Sequence, residues 1–98
     1  MQKYAVLSRL RKAGDATIEF RDNEIEPILA TTDFRNRYIR RKKGNKRFNY
    51  DKDNILIWDW TNDCFGIINP ADIKFINPLA QILKNKGKPT KEEYGDNG

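Results

Sequence analysis

A chain of 98 residues with 38% hydrophobic and 34% charged side chains allows one domain with one modest core and no second domain. No apolar run approaches the roughly 18–20 residues of a membrane span, no secretion-signal stretch opens the chain, and a lone Cys64 cannot form an internal disulfide or anchor a zinc site. The absence of histidine removes the commonest general base, the commonest transition-metal ligand and every Ser-His or Cys-His pair, so the expectation is a cytoplasmic protein with no cofactor and no enzymatic activity.

In chain order, Tyr4, Leu7 and Leu10 stand three residues apart and predict a helix over Gln2 to Ala13, stopped by Gly14. Asp15 to Arg21 alternates Ala16, Ile18 and Phe20 with polar residues, the period of a half-buried strand, and Asp22-Asn23 reads as its turn. Ile25 to Thr32 is a weaker strand, because Pro27 cannot donate to a ladder and belongs at a sheet edge or a strand start; its useful part is Ile28 to Thr32. From Asp33 to Asp53 no apolar periodicity persists, and Gly44-Asn45 reads as the tip of a long hairpin or an open loop.

Asn54 to Trp60 is the most apolar stretch and predicts the central strand, with Ile55, Ile57 and Asp59 on one face and Leu56, Trp58 and Trp60 on the other. After a polar turn at Thr61 to Asp63, Cys64 to Asn69 pairs back as a hairpin, where Gly66 suggests a bulge or a tight bend of the sort that curls sheets into small barrels. Pro70 to Asp72 reads as one helical turn and Ile73 to Ile76 as the last strand. Asn77-Pro78 then resembles a helix start, with an apolar stripe at Leu79, Ile82 and Leu83 and a stop at Gly87. Residues 88–98 have the composition of a disordered tail behind a domain spanning 1–87. Five short strands between two helices predict a mainly β, α+β fold: a small Sm or SH3-like barrel.

The charge is concentrated. Phe34 to Tyr50 carries eight Arg or Lys, no acidic residue and four aromatics, and setting those eight aside leaves eleven basic residues against fourteen acidic. An electropositive patch on a mildly acidic body attracts phosphates, and flat rings offer faces on which unpaired bases stack. The expected contacts are Arg35, Arg37, Tyr38, Arg40, Arg41, Lys42, Lys43, Lys46, Arg47 and Phe48. The arginines rank first, because a planar fork grips a phosphate with two bonds whereas lysine is a point charge. Five phosphates neutralised on a single strand give a log–log salt slope of roughly −3.5. Phe34 and Tyr50 are read as core, as are Trp58 and Trp60. Asp51, Asp53, Asp59 and Asp63 lack the glycine and terminal glutamate of a calcium loop and are read as turn caps.

The run IWDWTNDCFGIINPADI over Ile57 to Ile73 resembles the signature of a family of small phage proteins related to WYL domains, described as Sm-like SH3-type barrels. Trp58-Asp59, the Thr61 to Asp63 turn, Phe65 and Ile73 carry the match, with ATIEF and TTDF resembling the first two strands, so coverage is about Asp15 to Ile76. The resemblance implies a phage-encoded binding or regulatory module in the bacterial cytoplasm. It also implies ligand-facing arginines after the turn, at places that this chain fills with Gly66 and Asn69. The partner expected is nucleic acid, RNA or single-stranded DNA. The competing reading of the same charge is docking on an acidic host protein such as transcription machinery or a nuclease, and unpaired edge strands leave homo-oligomer formation open.

Overall fold

A computed structural model describes residues 2–86, so the expected stop at Gly87 and the expected disordered tail lie outside the described residues. Three helices and five strands follow the order α1 (Lys3–Ala13), β1 (Asp15–Phe20), β2 (Ile28–Thr31), α2 (Arg37–Lys43), β3 (Ile55–Asp59), β4 (Cys64–Ile68), a 3-10 turn (Pro70–Asp72), β5 (Ile73–Pro78) and α3 (Leu79–Lys86). The strands form one antiparallel sheet in the order β4-β3-β2-β1-β5. The edges are β4 and β5, and among the described residues no ladder joins them. No described helix is long and apolar enough to cross a membrane.

The core forms where α1 lies on one face of this sheet. Val6 and Leu10 of α1 pack with Ala16 and Ile18 of β1, Ala30 of β2, Ile55 and Ile57 of β3, Ile68 and Ile73. Facing pairs in register, Ala16 with Ala30, Ile18 with Ile28 and Ile55 with Ile68, keep the aliphatic side chains on one side, as the two-residue strand period requires. Asp59 is also buried, and its carboxylate is satisfied by the backbone N–H and side-chain amide of Asn62 at 3.0 and 2.7 Å.

Several boundaries differ from the sequence reading. In α1 the buried stripe is Val6 and Leu10, while Tyr4 is 83% exposed, so the helix is rotated from the Tyr4-Leu7-Leu10 line. Gly66 makes no bulge: it pairs regularly with Ile57, and the register shift lies instead between Glu19 and Phe20 where β1 meets β5. Asn77 and Pro78 end β5 rather than start a helix. The Asn77 amide donates to Glu19 Oε2 at 2.9 Å, and its carbonyl accepts from the Thr17 hydroxyl at 3.4 Å, so the side chain is engaged across the sheet. Pro78 is tolerated because β5 is an edge. Pro27 precedes β2, at a strand start.

The largest difference is α2, which occupies part of the stretch expected to be hairpin or loop. Seven residues are too few for an apolar period to show, but Asn36 caps the helix by accepting from the Tyr38 N–H at 2.8 Å. Gly44, at φ 50°, ends it, with its N–H bonded to the Arg40 carbonyl at 3.0 Å.

Candidate functional site

Helix α2 is held by aromatic packing on the face of β3 and β4 opposite α1. Trp58 follows Ile57 and therefore points away from the aliphatic core. It is 1% exposed because Tyr38 and Trp60 meet it edge to face, with centroids 6.0 and 5.9 Å away, and Phe65 does so at 4.9 Å. Tyr38 also stacks on Trp60 at 6.1 Å and 20°, while Phe34 and Phe48 pack on Phe65 at 5.5 and 4.8 Å. Six rings thus join the basic segment to the β3–β4 hairpin, and Ile39 of α2 is fully buried beside them. Trp60 Nε1 donates to Asp15 Oδ1 at 3.0 Å. Trp58 Nε1 is the one buried side-chain nitrogen or oxygen, among the described residues, without a hydrogen-bond partner.

Two carboxylates engage part of the charge. Asp33 accepts from Arg35 Nε at 2.9 Å and Nη2 at 2.8 Å, a bidentate grip that, with the Arg35 backbone N–H, brings the Asp33 pKa from 3.8 down to about 2. Asp63 accepts from the Tyr38 hydroxyl at 2.6 Å and lies 3.4 Å from Lys42 Nζ. These bonds, Tyr38's first, lower the Asp63 pKa, and the carboxylate in turn raises those of Tyr38 and Lys42. Asp63 sits at φ 56°, a left-handed position that aspartate tolerates in a turn. Asp51 and Asp59 cap separate turns, and among the described residues no three His, Cys, Asp or Glu side chains gather as a metal site would need.

The ten sequence-derived contacts therefore divide. Arg37, Arg40 and Arg41 share the outward face of α2 and, with Lys43 and Gly44, line an open pocket of about 540 Å³; none of the three arginines has an ion pair among the described residues. Lys42, Lys46 and Phe48 line a second pocket of about 340 Å³ beside Trp58, Asp63, Cys64 and Phe65. Arg47 is exposed. Arg35 is tied to Asp33, and Tyr38, proposed for stacking, is used to dock the helix. Of the two rings of the basic segment read as core, Phe34 is half-buried and Tyr50 is 44% exposed.

The residues absent from the sequence reading of this site are Asp33, Asp63, Cys64 and Phe65. An Asp-x-Arg spacing signals the first, an Asx-type turn that also offers a partner to the guanidinium. Asp63 lies 25 positions from Tyr38, and only the hairpin brings them together. In comparisons with known proteins, no family model, no curated protein and no solved structure matches this chain.

Proposed function

We propose that this chain is a non-enzymatic nucleic-acid-binding module, and that α2 is its phosphate-gripping element. The observation that carries this reading is the triplet Arg37, Arg40 and Arg41, at i, i+3 and i+4, outward-facing and without an ion pair among the described residues, on a helix whose other side is packed on aromatic rings. Anchoring matters because arginines on a fixed helix lose less freedom on binding than arginines on a mobile loop. The cationic element is thus a helix followed by a turn rather than a loop alone. The strand order, with β5 returning beside β1, supports an Sm or SH3-like barrel as the scaffold.

The test is a fluorescence titration of RNA, single-stranded DNA and duplex DNA at two salt concentrations. Each arginine that neutralises a single-strand phosphate contributes roughly 0.7 to the log–log salt slope, so the Arg40→Ala/Arg41→Ala variant should weaken binding and flatten the slope by about 1.4. An unchanged slope in that variant sinks the reading, as does the absence of binding to all three nucleic acids at low salt. Binding to polyglutamate in place of nucleic acid would favour an acidic protein partner.

A further inference from the structure

Arginines on α2 account for attraction to phosphate but not for any choice among nucleic acids, because phosphate contacts carry no base information directly. The 340 Å³ pocket beside them has different chemistry and falls within the size range of small-ligand sites. Phe48 and Phe65, whose rings pack on each other tilted by 46° with centroids 4.8 Å apart, line it together with Lys42 and Lys46. Asp63 adds a carboxylate held by Tyr38 and Lys42, and a carboxylate has about four acceptor sites, so capacity remains for a further donor. Trp58, also in the lining, carries the unmet indole donor.

Resting on the nucleic-acid reading, we infer that this pocket receives one unpaired base of the bound strand. Aromatic faces suit the base, the lysines its phosphate, and the Asp63 carboxylate an exocyclic amino group. A wholly apolar occupant would cover a lining that includes two lysines and a carboxylate, which argues against a greasy peptide or an acyl chain. Bases within a duplex are stacked on both faces and paired at the edge, so the pocket would favour single strands over duplex. Lys42 lies on α2 itself, next to Arg41, so one strand can run from the arginine face to the pocket.

Cys64 makes the inference testable, because it is the only cysteine in the chain, is exposed and lines the pocket. Alkylation with N-ethylmaleimide would obstruct the cavity without touching the arginines. Anisotropy titrations would use a labelled oligo(dA) 12-mer, the same strand in duplex, and AMP as a competitor. Alkylation should weaken single-strand binding about tenfold, in line with the loss of one base–ring contact, and leave duplex binding within about twofold. Cys64→Ser protein treated with the reagent should be unaffected, Phe48→Ala should reproduce the loss, and circular dichroism would verify that each protein stays folded. The oligonucleotide should also slow alkylation. Undiminished single-strand binding in both the alkylated protein and Phe48→Ala overturns the base pocket. If Arg40→Ala/Arg41→Ala still weakens binding and flattens the salt slope in that case, the α2 interface stands without the pocket; if it does not, both fall. Protection of Cys64 by AMP equal to that by the oligonucleotide would show a mononucleotide site and overturn the strand-selective reading.

Discussion

Ile57 and Trp58 are neighbours in the chain, yet they belong to two different cores. Ile57 faces α1 within a cluster whose buried members are all aliphatic, whereas Trp58 faces α2 within six aromatic rings edged by two ion pairs. Both helices are basic, but α1 carries Arg9, Arg11 and Lys12 on a helix that closes the main core, while α2 is seven residues long and held chiefly by rings. The lesson is that the same strand can build a scaffold on one face and position a cationic helix on the other. Aliphatic packing needs only volume and burial. The aromatic layer also has edges and polar tips with which to hold charged groups in place.

The comparison predicts that Trp58→Ala has the largest effect, a loss of about 3–5 kcal/mol, against about 2–5 kcal/mol for Ile57→Ala. In urea unfolding followed by far-ultraviolet circular dichroism, both should lower the same single transition. A Trp58→Ala protein whose main transition does not move would show that the aromatic layer is an appendage, and would end the picture of two coupled cores.

A smaller effect, about 1 kcal/mol, is expected from Asn36→Ala, which removes the α2 cap and nothing from the main core. Hydrogen exchange should speed up at the Arg40 and Gly44 amides, which close the helix, while amides of α1 keep their protection. Equal acceleration in both helices would mean that α2 cannot open by itself.

The smallest effects are titrations. Asp33 has a folded pKa depressed to about 2 from 3.8, so whatever it contributes is present above about pH 4 and is lost as pH falls toward 2. In Arg35→Ala the Asp33 carboxyl should titrate upward from about 2 toward 3.8 by NMR, the backbone N–H at position 35 still donating to it, with no measurable change in unfolding midpoint at neutral pH, since the pair is exposed. Asp63 shifts in the same direction, whereas Tyr38 and Lys42 shift upward from 10.0 and 10.5. Their mutual contact therefore holds across neutral pH. It is lost on the acid side as Asp63 protonates and on the alkaline side as Tyr38 and Lys42 lose protons. Tyr38→Phe should raise the Asp63 midpoint; an unmoved midpoint would remove that hydrogen bond from the account.

Much of this molecule was legible in the chain itself, because its signals are local. Period-two alternation in Asp15 to Arg21, the apolar run Asn54 to Trp60 with its two faces, the polar turn at Thr61 to Asp63 and the helical turn at Pro70 each depend on residues within a few positions of one another. The basic segment was visible for the same reason. Tertiary structure alone decided which of its charges remain unpaired and which rings remain available. Asp63 reaches Tyr38 and Lys42 only through the β3–β4 hairpin, and Tyr38 meets Trp58 and Trp60 only once that hairpin lies beneath α2. Composition sets how much charge a segment carries; the distances that neutralise or expose it arise from contacts far apart in sequence.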